Sequence, residues 1–230
     1  MKISTALSAF LFCAPVALAI VTPPSVAEAA ADGSAVLEKL DRDARAFSDI
    51  SYVSTMEIYK NGNKRKTLQF DMVMKGLAEL WMYSPEFQKV RKVAAHAQAQ
   101  GFLGSEFTPE DMVMTGLADH FTATIEGKSG NETYLALAPK PGFTSSWSKI
   151  ELTIDKTKGA VTKIKYFDGS GTAVREQVRG GWTKVAGKPF PTKISMKNLK
   201  TGAETRIKLS DVQVNQGVED SLFSKRTLLR

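Results

Sequence analysis

Glu106, Glu110 and Asp111 form a carboxylate cluster beside two aromatic residues, Phe102 and Phe107. Paired carboxylates can serve as acid and base on a glycosidic bond, so catalysis is sought here first. The preceding Thr108-Pro109 gives a simpler reading. It is a helix-start signal, with threonine as cap and proline in the first turn. Acids in a first turn are favoured by the helix dipole. The two histidines, His96 and His120, have no neighbour at metal-ligand spacing. The sequence also lacks a His-Glu-x-x-His pair, a phosphate loop and a Gly-x-Ser-x-Gly elbow. The expectation is a binding protein and not an enzyme, with no catalytic residue, no metal and no cofactor.

The single cysteine, Cys13, lies in a segment that reads as an export signal. Lys2 supplies the positive start, and an apolar run follows from Ala6 to Val21. Ala27-Glu28-Ala29 then fits the small-x-small cleavage pattern, placing the start of the mature chain at Ala30. The expected organisation is a cleavable signal over residues 1–29 and one domain over 30–230. The mature chain then has no cysteine, which removes disulfides and thiol chemistry from consideration and fits a bacterial periplasm. It keeps 30 basic and 23 acidic residues and the net charge of +7. That charge fits anionic headgroups, an acidic protein face or solubility alone better than nucleic acid, which an exported protein rarely meets.

The elements that must position any site follow from periodicity. Val36, Leu37, Leu40, Ala44 and Phe47 recur at helical spacing, predicting an amphipathic helix over Gly33–Phe47 with Asp32 or Ser34 as cap. Alternation takes over after Ser48. Ile50, Tyr52, Met56 and Ile58 share one face of a strand that ends at the Asn61-Gly62 hairpin signal. Leu68, Phe70, Met72 and Met74 share one face of the return strand. Further strands are predicted near 80–83, 87–93, 120–126, 132–138, 148–155, 160–167, 172–179, 189–197 and 203–213, and a short helix over Thr108–Thr115. A strand about every ten residues predicts a single antiparallel sheet, a sandwich or a barrel.

The apolar residues are of an adaptable kind. Phe70, Met72, Met74, Trp81, Met82, Tyr83, Phe102, Phe107, Met112 and Met114 crowd into one third of the mature chain. Methionine and aromatic side chains fit flexible ligands, and they also make ordinary core. Two segments carry a resemblance. Trp81-Met82-Tyr83-Ser84-Pro85, followed by Lys89-Val90-Arg91-Lys92-Val93, resembles the Trp-x-Tyr-x-Pro…Val segment of LolA-like proteins. Gly101-Phe102-Leu103-Gly104-Ser105-Glu106-Phe107-Thr108-Pro109-Glu110-Asp111-Met112 resembles the Gly-Ser-Asp-Phe-x-x-Glu-Asp-Leu signature of the wider outer-membrane lipoprotein-sorting group. The chain departs from the family in having Glu106 for aspartate and Pro109 for a residue that is often aromatic. The Arg-Pro pair before the second strand region of the family's carriers has no clear counterpart.

The resemblance implies a mainly β fold, an incomplete, open antiparallel β-barrel of about ten strands. The helices at Gly33–Phe47 and Thr108–Thr115 would form its lid. It also implies a periplasmic carrier, expected to be a monomer, that takes acyl chains of lipoproteins or lipids to the outer membrane. The implied partners are an inner-membrane transporter of ABC or RND type and an outer-membrane acceptor. The implied ligand-binding residues are Leu68, Phe70, Met72, Met74, Trp81, Tyr83, Phe102, Phe107 and Met112. A sensor or adaptor of the same fold, regulating a membrane partner, is the alternative. An enzyme modifying envelope lipids or glycans, acting through Glu106 or Asp111, is a third.

Overall fold

Asn61 and Gly62 both adopt positive φ, 52° and 74°. This is the backbone that a two-residue hairpin needs and that Asn-Gly supplies at little cost. The turn joins β1 (Asp49–Lys60) to β2 (Asn63–Lys75). The computed structural model describes residues 26–76, 79–86, 88–93, 101–108, 111 and 116–217. The remaining strands are β3 (Glu79–Ser84), β4 (Lys89–Val93), β5 (Phe121–Ser129), β6 (Glu132–Pro139), β7 (Lys149–Asp155), β8 (Ala160–Phe167), β9 (Ala173–Val185), β10 (Lys188–Asn198) and β11 (Glu204–Val214).

All eleven strands join one antiparallel sheet in the order β4-β3-β2-β1-β11-β10-β9-β8-β7-β6-β5. The last strand therefore pairs with the first, and β4 and β5 are left as two unjoined edges of an open barrel. Register shifts at Ser51/Val53, Ile58/Tyr59, Ile125/Gly127, Thr153/Ile154 and Tyr166/Phe167 are sites where bulges curl the sheet. Between its two edges residues 101–108 and Asp111 lie across the concave side.

Register decides which side chains meet. Met56 faces Leu68 and Ile207, Ser54 faces Phe70, and Tyr52 faces Met72. Across the other half, Leu135 faces Leu152, which faces Ile164. These residues point to the concave side, where Met56, Leu68, Phe70, Leu135, Leu152, Ile164 and Met196 form a fully buried core.

The first helix, α1 (Val26–Ala44), starts seven residues earlier than the periodicity predicts and ends before Phe47. Gly33, expected at the helix start, is instead internal. It lies inside the helix, where a Cβ would stand 2.5 Å from the carbonyl oxygen of Ala123. A glycine inside a helix costs up to about 1 kcal/mol, and here it allows α1 to lie directly on β5. Leu37 is buried, with Val36 and Leu40 packed beside it, as the apolar stripe requires. Cleavage after Ala29 would leave Ala30–Ala44 of this helix. Among the described residues no helix is long and apolar enough to cross a membrane.

A one-turn helix, α2 (Leu117–His120), precedes β5. Asp41 of α1 caps it, accepting hydrogen bonds from the N–H groups of Leu117 (3.3 Å) and Ala118 (2.7 Å). Asp41 is buried, so its loss would leave two donors without partners. Asp41→Ala is expected to cost about 1–2 kcal/mol, read as a lower urea midpoint with an unchanged slope.

Candidate functional site

The segment after Gly101 forms a small cover over the concave face. Leu103 and Gly104 turn the chain in left-handed conformations, φ 54° and 82°. The N–H of Phe102 then closes on the carbonyl of Phe107 at 2.7 Å. Gly101 is required at the crossing, because a Cβ there would lie 1.9 Å from the Ser105 carbonyl oxygen. The turn delivers two aromatic rings inward. Phe107 is buried, and Phe102 packs edge-on against Phe70 with ring centres 6.0 Å apart.

Thr108 and Asp111 bond to each other reciprocally, in the pattern of a capping box. The Asp111 N–H donates to Thr108 Oγ1 at 3.3 Å, and the Thr108 N–H donates to Asp111 Oδ2 at 2.7 Å. Asp111 also forms a buried ion pair with Arg175 of β9, with the two side chains 4% and 9% exposed. The same guanidinium nitrogen donates to the Glu106 carbonyl at 2.6 Å. The guanidinium carbon stands 5.2 Å from the Trp147 ring centre and 5.1 Å from that of Tyr166. Arg175 thus holds the cover from below, between two aromatic rings. Burial pushes the Tyr166 hydroxyl pKa well above its usual value, with the Asp111 charge adding to the effect. Two further ties fix the cover. The Glu106 N–H donates to Thr205 Oγ1 at 2.9 Å, and Asn198 Nδ2 donates to the Glu106 carboxylate at 3.2 Å. Both candidate acids, Glu106 and Asp111, are thus engaged in holding the cover.

Beside the cover, under the C-terminal half of α1, lies a cavity of about 420 Å³. Leu40, Phe47, Ile50, Met74, Leu152, Val161, Ile164 and Phe190 make its walls mainly apolar. Lys39, Asp43, Lys158 and Lys188 bring charge to it. Asp43 of α1 accepts from Lys39 and, at 2.8 Å, from Lys188 of β10. These hydrogen bonds, the one from Lys188 foremost, lower the Asp43 pKa below the usual carboxylate value. Arg179 of β9 also lines the cavity, and burial lowers its pKa from the usual guanidinium value. Apolar walls with a few placed polar groups are the usual make-up of a ligand pocket, and ~300–1,000 Å³ is the usual size.

The residues predicted to line a site divide among several places. Met74 lines the cavity. Leu68, Phe70, Met72 and Phe107 are packed into the core, and Phe102 joins them from the cover. Trp81 and Tyr83 do not share their face, and the sequence reading needs correction here. Met72 pairs with Met82 and Met74 with Leu80, while Val73 pairs with Trp81 and Asp71 with Tyr83. Directly paired residues share a face, so Trp81 and Tyr83 stand on the opposite, convex side. Met112 and most of the Thr108–Thr115 helix lie outside the described residues.

Sequence reasoning missed Arg175 and Arg179. The signal for them is Arg175-x-Gln177-x-Arg179, three polar residues at strand spacing in a segment already read as a strand. Their shared face is the concave one, since Gln177 pairs with Ile164 and Met196, and Arg179 pairs with Ile194.

A family model described as that of an uncharacterized protein matches residues 53–230. No curated protein matches the sequence. Three solved structures share the fold. A DUF1329 family protein from Desulfovibrio piger is 18% identical, with a TM-score of 0.73, covering 87% of this chain and 99% of its own. A domain assigned to outer-membrane lipoprotein sorting from Vibrio parahaemolyticus is 17% identical, with a TM-score of 0.70, covering 87% and 100%. A LolA superfamily protein from Nitrosomonas europaea is 15% identical, with a TM-score of 0.61, covering 84% and 98%. At these identities the likeness is one of fold.

Proposed function

We propose that this chain, which belongs to a family of uncharacterized proteins and shares the fold of LolA superfamily proteins, is a periplasmic carrier that binds acyl chains of lipoproteins or lipids and moves them toward the outer membrane. The observation that carries this reading is the apolar cavity between α1 and the concave face. Each methylene taken out of water contributes about 0.8 kcal/mol. A chain of ~16 carbons therefore gains on the order of 10 kcal/mol gross, before ordering costs.

Holding a chain in this way makes and breaks no bond. The reading assigns no catalytic residue, and the engagement of Glu106 and Asp111 in the cover supports that. Release requires α1 to move off the sheet, against the packing of Leu37 and Gly33 and against two polar ties. Lys188–Asp43 joins it to β10, and Asp41 joins it to α2. An inner-membrane transporter would load the cavity and an outer-membrane acceptor would empty it.

The experiment is a transfer assay. Protein loaded with a fluorescent acyl lipid is mixed with vesicles of inner-membrane and of outer-membrane composition carrying their native proteins. Delivery to the outer-membrane vesicles supports the carrier. Retention of cargo in a stable complex with one inner-membrane protein would replace it with the adaptor reading.

A further inference from the structure

Four cationic side chains line the cavity, and three of them are matched by a carboxylate. Lys39 and Lys188 share Asp43, and Lys158 pairs with Asp155. The remaining lining acid, Asp41, is spent on the backbone N–H groups of α2. Arg179 is different. Its Nε donates to Gln177 Oε1 at 2.7 Å, and among the described residues no carboxylate lies within ion-pair distance of it. Asp111 acts on it only through space, and a half-buried guanidinium with no carboxylate in ion-pair contact is costly. It is also the group best shaped to bind a carboxylate or phosphate in two-pronged fashion.

We propose that the cavity takes a single-chain amphiphile with an anionic head, a carboxylate or a phosphate, whose head pairs with Arg179 while its chain runs along Met74, Leu152 and Ile164. This rests on the acyl-binding reading and narrows its ligand class. A cavity of about 420 Å³ lies near the small end of the usual pocket range of ~300–1,000 Å³, which suits one chain better than several.

The test uses the protein purified from expressing cells and stripped of lipid. Hexadecanoate, hexadecyl phosphate and hexadecanol each compete against a fluorescent acyl probe. The anionic ligands are expected to bind at least about tenfold more tightly than the alcohol, which corresponds to 1.4 kcal/mol. Whichever of the two binds better identifies the head group. Arg179→Met is expected to abolish that preference while leaving hexadecanol binding unchanged, and Arg179→Lys to keep part of it. Unchanged alcohol binding also shows that the variant is folded. Equal binding of acid and alcohol by the wild type, or a preference that survives in Arg179→Met, overturns the inference and leaves the acyl-binding reading standing. If none of the three ligands competes and the probe itself does not bind, both fall.

Discussion

Arg175→Ala is expected to lower the stability of the fold by about 3–5 kcal/mol, the range seen when one partner of a buried ion pair is removed. Arg175 and Asp111 are nearly excluded from solvent, so the carboxylate left behind would keep its desolvation cost and lose its counter-charge. The Glu106 carbonyl would lose its 2.6 Å donor in the same step. That is a large part of a typical total of ~5–15 kcal/mol. Urea unfolding reads the loss, and limited proteolysis shows whether the cover at residues 101–111 opens first. The paired change Arg175→Met with Asp111→Leu removes both charges, and is expected to recover much of the loss. If Arg175→Ala shifts stability by less than about 1 kcal/mol, the pair behaves as an exposed one would and does not hold the cover.

Met74→Lys should weaken binding of an uncharged acyl probe by about 100-fold or more. Met74 lines the cavity, and an ammonium forced against an acyl chain there costs several kcal/mol. A 100-fold loss needs only about 2.7 kcal/mol of that. Met74 is half-buried and lies at the end of β2, so the change is expected to leave the fold intact. A charge at Tyr83, on the convex side, is expected to leave binding unchanged. If Met74→Lys binds normally and Tyr83→Lys does not, the ligand lies on the other face of the sheet and the cavity is not its site.

Most of the fold was legible because hairpin chemistry is local. Asn61-Gly62 and Lys158-Gly159 mark turns in which Asn61, Gly62 and Gly159 take positive φ. The site was less legible for two physical reasons. Strand period gives the two faces of one strand, but it does not say which face of β3 matches which face of β2. That depends on pairing register, and the register puts Trp81 opposite Val73 rather than with the methionines. The second reason is that burial makes a charge mean something different. Arg175 and Asp111, 64 residues apart, read in sequence as a strand cation and a first-turn acid. Only the placement of Glu106 and Asp111 over β9 makes Arg175 and Asp111 a buried pair. The Arg-Pro pair of the family's carriers finds no match in this chain. Here an arginine does hold the cover, but it comes from β9.

The gap between Met74 and the other predicted residues has a similar origin. Leu68, Phe70 and Met72 share its face, but Phe102 and Phe107 fill the space above them. The open part of the concavity therefore lies farther along, under Leu40 and Phe47, next to β8 and β10. The Gly101-to-Phe107 motif thus covers a part of the concave face that the cavity does not reach.

The claim that the cavity holds acyl chains is tested most directly by mass spectrometry of an organic extract of the protein, purified from periplasm without detergent. The account predicts an acyl species at a stoichiometry near one per chain, lost from Met74→Lys protein prepared in the same way. An empty wild-type protein that also fails to take up added acyl probes would contradict it.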